Sequence, residues 1–176
     1  MQLGEIALDF NLPGVDGQNY SLQDFSGKQA VAVIFSCNHC PYVKAYEDRL
    51  IAVQREYADR DVALVAINAN DDSQYPDDSF DNMVTRANQK GFPFPYLRDE
   101  SQQVAQAYGA QRTPEIFLFD SDLRLRYHGR PDDNWEDPDR VEQPYFRDAI
   151  EALLNGEEVP VPKTEPIGCT IKWKMG

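Results

Sequence analysis

Ala30-Val-Ala-Val-Ile-Phe-Ser-Cys-Asn-His-Cys-Pro-Tyr-Val-Lys44 is the stretch that decides the fold. Its first six residues form a continuous apolar run of strand length, rich in β-branched side chains, which is how a strand buried on both faces of a sheet reads. The run ends in Ser36 and a Cys-x-x-Cys motif, Cys37-Asn38-His39-Cys40, closed by Pro41. Beyond it, Val43, Tyr46, Leu50, Val53 and Tyr57 recur at helical spacing, so a long helix follows the motif directly. A central strand thus delivers a cysteine pair to the start of a helix.

Downstream, Val62-Ala-Leu-Val-Ala-Ile67 is a second buried-type strand. With a helix between them, the two strands form a right-handed parallel βαβ unit. The acidic insert from Asp71 to Ser79, interrupted by Pro76, predicts a solvated loop. The stretch from Asp71 to Asp81 lacks the alternating ligands, central glycine and closing glutamate of a calcium loop. Phe80 to Gln89 predicts a helix stopped by Gly91, Pro95 to Leu97 a short strand, and Ser101 to Tyr108 a short helix stopped by Gly109. Glu115 to Phe119 and Leu123 to His128 predict strands joined by the tight turn Asp120-Ser-Asp122, and hence antiparallel. A last helix runs from about Gln143 to Leu154 and ends near Asn155-Gly156. At the other end, the Pro13-Gly14 and Asp16-Gly17 turn signals predict a β-hairpin within residues 1–27. Residues 157–176, Pro-rich at their start, predict a tail extended over the surface. The expectation is one α/β domain over 1–176, with a hairpin extension at 1–27, a tail at 157–176 and a mixed central sheet carrying helices on both faces.

Composition narrows the partners. Seventeen basic against thirty acidic residues give a net charge of -13, which repels nucleic-acid phosphates and anionic membrane surfaces. Neither partner is expected. No run of about 18 apolar residues occurs to span a membrane, and Met1-Gln-Leu-Gly-Glu5 lacks the basic start and apolar run of a signal peptide. Three cysteines are an odd and small number for a secreted disulfide scaffold. The expected compartment is the cytoplasm.

The chemistry sits on the motif. A cysteine at a helix N-terminus meets free backbone N–H groups and the positive end of the helix dipole, which stabilise a thiolate. On the expectation that Cys37 occupies that place, Cys37 is the nucleophile. Cys40, one turn deeper, resolves the mixed disulfide. A protonated His39 inside the motif adds to thiolate stabilisation. A zinc site needs two further ligands at matching spacing, and Cys169, His39 and His128 offer no such pair; no metal or other cofactor is expected. Two other readings stay open. One is a thiol peroxidase in which Cys40 is oxidised to a sulfenic acid and Cys37 resolves it. The other is a non-enzymatic module holding a soft metal ion on the cysteine pair. Cys169, in the tail, is either a spectator or a partner for another thiol.

The element order βαβ, helix, ββα is that of the thioredoxin fold. The chain resembles the thioredoxin superfamily over nearly its whole length, and specifically its peroxiredoxin-like branch of alkyl hydroperoxide reductase and thiol-specific antioxidant domains. The resemblance rests on Asp9–Gly17 with Tyr20–Gly27, on Phe35–Lys44, on Tyr108-Gly-Ala110 before Thr113-Pro114, and on Ile167-Gly-Cys-Thr-Ile-Lys-Trp173. It implies a redox site at Cys37 and Cys40, with a cis Pro114 and Thr113 beside it shaping a substrate groove. It also implies a disulfide-bearing protein or small molecule as substrate and a thiol as electron donor. The branch's Pro-x-x-x-Thr-x-x-Cys pattern is not met, because Val33 and Cys37 occupy its proline and threonine positions. Thioredoxin's buried aspartate and its tryptophan before the motif are replaced by Val31 and Ser36. Proton transfer to Cys40 then falls to His39, Glu47 or water.

Overall fold

The computed structural model describes residues 1–175. Its centre is β3 (Ala30–Phe35), every residue of which is buried. The alternation of a strand sends Val31, Val33 and Phe35 to one face and Ala30, Ala32 and Ile34 to the other. The two faces are covered differently. The N-terminal hairpin β1 (Asn11–Pro13) and β2 (Asn19–Ser21) packs on the first with Phe10, Leu12 and Phe25, joined by Tyr108 of the short helix α3 (Gln103–Tyr108). On the second lie α1 (Pro41–Tyr57) and α4 (Tyr145–Leu154), through Leu50, Val53, Tyr57, Phe146 and Ile150. The six-residue run thus carries a core on each side.

Five strands make the main sheet. β4 (Val62–Asn68) lies parallel to β3, and β5 (Tyr96–Arg98) parallel to β4. On the other side β7 (Glu115–Asp120) runs antiparallel to β3, and β8 (Leu125–Gly129) antiparallel to β7, with a register shift between Leu118 and Phe119. This is the mixed sheet expected, and the hairpin strands pair antiparallel as expected. Helix α2 (Phe80–Lys90) begins where the Ser79 side chain accepts from the Asn82 N–H and stops at Gly91, whose left-handed φ of 61° suits a residue without Cβ. Among the described residues no helix is long and apolar enough to cross a membrane.

Two segments depart from the expectation. The acidic insert is not simply solvated: Asp71 and Asp78 are buried, the latter in a single helical turn, Pro76–Asp78. The tail does more than lie on the surface. Its residues Cys169–Thr170 form a short strand, β9, antiparallel to β6 (Arg112–Thr113), and Ile171 enters the core. Asp78 is tolerated there because Asn38, Asn68 and Asn70, outside the insert and invisible to local pattern, supply its hydrogen bonds. The tail's main chain at Lys172 is likewise paired with Asn70, Asp71 and Gln102.

Candidate active site

Helix α1 starts at Pro41, and Cys40 is the extended residue that precedes it, with φ -64° and ψ 130°. The expectation that Cys37 opens the helix, with Cys40 one turn inside, is thereby corrected. A proline suits the first helical position, and its ring disfavours helical geometry in the residue before it, so the helix cannot reach back through the motif. Cys37 lies in the connecting loop after β3. The two cysteines meet because the loop turns, and both are free thiols, each 3% exposed.

The bond between Thr113 and Pro114 is cis, as expected, and sets Thr113 against both sulfurs. Thr113 Oγ1 lies 3.5 Å from Cys37 Sγ, and the Thr113 carbonyl accepts from the Cys40 thiol at 3.6 Å. The approach to this bond is held by Glu115, a buried carboxylate whose Oε1 accepts from the N–H groups of Gln111 and Arg112 at 2.9 Å. Its Oε2 lies 2.6 Å from Nε2 of His128. Tyr42 packs beside the thiols, its ring centroid 4.4 Å from that of Trp135.

The thiols ionise as a pair. The Cys37 thiol beside it draws Cys40 down to about 4, against the opposing effect of burial; Cys169 and the N–H of Val43 in the first turn of α1 add to the lowering. Cys37 moves the other way, raised by the Cys40 sulfur, by burial and by the charge of Asp78, although Thr113 works against the rise. One proton leaves the dithiol easily and the other is kept. The ionisation of the pair is shifted toward Cys40.

Behind the motif stands a buried polar cluster. Asp78 Oδ1 accepts from the backbone N–H of Asn38 at 2.8 Å and from Asn68 Nδ2 at 3.1 Å; Oδ2 accepts from Asn70 Nδ2 at 3.0 Å and lies 3.2 Å from His39 Nδ1. Tyr96 donates to Asn38 Oδ1 at 2.8 Å. A strand–loop–helix junction that holds a reduced, singly ionising dithiol against a cis proline is built for thiol–disulfide exchange.

A family model described as Redoxin matches residues 2–144. The chain belongs to the Redoxin family. Among characterised relatives, this redoxin is 28% identical over 127 residues to the thiol-disulfide oxidoreductase ResA of Bacillus thuringiensis (strain Al Hakam), a match covering 71% of this chain and 68% of that one. Two solved structures match it across almost their whole length. A hypothetical protein from Sinorhizobium meliloti 1021 has a TM-score of 0.94 at 38% identity, covering 100% of this chain and 97% of that one. An uncharacterized conserved protein from Geobacillus kaustophilus has a TM-score of 0.94 at 43% identity, covering 99% and 94%.

Of the residues singled out from sequence, this redoxin brings Cys37, Cys40, Thr113 and Pro114 into one site. His39 sits at its edge, with Nδ1 3.2 Å from Oδ2 of Asp78 rather than against the thiols. Glu47 is not free to serve Cys40: the Arg86 guanidinium engages both of its oxygens. Asp78, Glu115 and the amides of Asn68 and Asn70 went unnoticed in the sequence. The available signal was Asn68-Ala-Asn70, two amides at the end of a buried strand, which require buried partners.

Proposed function

We infer that the protein is a thiol–disulfide oxidoreductase that works through Cys37 and Cys40. The observation that carries this reading is the reduced dithiol at the start of α1, packed on Thr113 and the cis Pro114 bond. The Cys40 thiolate attacks one sulfur of a substrate disulfide and expels the other as a thiolate. Cys37 then gives up its proton and attacks Cys40 Sγ, releasing the second substrate thiol and leaving a Cys37–Cys40 disulfide. A thiol donor returns the two electrons. This assigns the attack to Cys40 rather than Cys37, because Cys40 is the residue that immediately precedes the first turn of α1, at the positive end of its dipole.

The substrate is a protein or small-molecule disulfide, and the cytosol is the compartment that suits a chain with so few cysteines. Peroxide reduction gains no support from the geometry. The Thr113 hydroxyl lies against Cys37 instead of Cys40, and Arg112 is turned to the Gly168 carbonyl at 3.2 Å. Among the described residues, no group of three histidine, cysteine or carboxylate side chains is placed to hold a metal ion. The test is insulin reduction driven by dithiothreitol: the wild-type chain accelerates it and Cys40→Ser does not. A Cys40→Ser chain as active as wild type overturns the reading. With Cys37→Ser and Cys169→Ser combined, substrate is trapped on Cys40.

A further inference from the structure

A third sulfur reaches the site from the far end of the chain. Strand β9 sets Cys169 opposite Thr113, the residue whose carbonyl touches Cys40 Sγ. Cys169 packs on the cluster formed by Cys37, Cys40 and Val43. This placement is fixed by several independent contacts. Gly168 lies so close to Thr113 that a Cβ there would stand 2.0 Å from the Thr113 oxygen. Ile171 is 3% exposed. The Lys172 N–H donates to Asn70 Oδ1 at 2.9 Å, and the Lys172 carbonyl accepts from Gln102 Nε2 at 2.9 Å and from the Asp71 N–H at 2.8 Å. The same Asn70 donates to Asp78, so the tail is anchored in the polar cluster behind the motif.

Exposure separates the three sulfurs. Cys37 and Cys40 are closed off, whereas Cys169 is half-buried at the rim. A donor thiol therefore reaches a disulfide that includes Cys169 more readily than one between Cys37 and Cys40.

We propose that Cys169 is a third redox thiol of the site, taking the disulfide over at Cys40 and presenting it to the thiol donor. The proposal rests on the dithiol chemistry assigned to Cys37 and Cys40. In the transfer, the Cys169 thiolate attacks Cys40 Sγ; the Cys40–Cys169 bond forms and the Cys37–Cys40 bond breaks. Cys37 leaves as a thiolate and takes up the proton that Cys169 gave up, so no electron enters or leaves. Two donor thiols then reduce the Cys40–Cys169 disulfide and leave as a disulfide themselves. The resting site keeps Cys169 in reserve, since burial and then the neighbouring Cys40 push its thiol up to about 11. Once Cys40 is locked in a disulfide, its part of that restraint is gone.

The test uses the full-length chain, treated reduced with an equimolar neutral disulfide, bis(2-hydroxyethyl) disulfide, quenched in acid, digested without reduction and mapped by mass spectrometry. Wild type yields both Cys37–Cys40 and Cys40–Cys169 linkages. Cys37→Ser yields Cys40–Cys169 with no lasting adduct, and oxidised Cys169→Ser is re-reduced by dithiothreitol several-fold more slowly than oxidised wild type. A wild-type map with Cys37–Cys40 alone, together with a lasting adduct on Cys40 in Cys37→Ser, overturns the role of Cys169 and leaves the oxidoreductase reading intact. A wild-type chain that forms no internal disulfide overturns both.

Discussion

Asp71, Asp72, Asp77, Asp78 and Asp81 look alike in sequence, yet Asp78 alone is fully enclosed behind the thiols while Asp77 stays at the surface. Its three hydrogen-bond donors, the Asn38 N–H and the amides of Asn68 and Asn70, converge on it from the motif and from the end of β4. Asn in its place keeps one acceptor oxygen and turns a donor toward donors. Asp78→Asn is therefore expected to cost about 1–3 kcal/mol of stability, read from chemical denaturation. Because the Asp78 charge is among the causes that hold Cys37 up, the same variant ionises Cys37 at lower pH, seen in the ultraviolet absorbance of the thiolate. At this scale the sequence made Cys37 and Cys40 legible, since a two-residue spacing beside a strand end is local information. Asp78 was not legible, because what selects it from its acidic neighbours is donors contributed from other parts of the chain. The start of α1 is set by a local signal, Pro41, which disfavours helical geometry in Cys40.

Among the elements, β3, α1, β4, β7 and α4 announce themselves through long apolar runs or helical periodicity, and each forms close to where that pattern lies. Strands β6 and β9 have two residues apiece, too short to carry a period, and they exist only because distant segments meet. Gly168 is the hinge of that meeting, its missing side chain permitting main chain to touch main chain at Thr113. Gly168→Ala is expected to lift β9 from β6 without unfolding the sheet. Alkylation followed by mass spectrometry checks this: Cys169 reacts faster than in wild type, and the far-ultraviolet circular dichroism is unchanged. Wild-type protection of Cys169 in this variant would show that the tail is held without the Gly168 contact.

Over the whole molecule, a net charge of -13 surrounds a small redox site, so charged substrates approach it at unequal rates. At low salt, cationic cystamine is expected to be reduced faster than anionic oxidised glutathione. The gap narrows as ionic strength passes ~0.1 M, where the screening length falls to about 10 Å; stopped-flow rates at several salt concentrations measure it. The main-chain edge at Thr113 beside the thiols is already taken by the chain's own tail. A tethered strand competes as if present at high local concentration, on the order of millimolar for short flexible tethers. An extended polypeptide seeking that edge is thus a rival to a built-in occupant, whereas a compact disulfide that needs only the sulfurs meets no such rival.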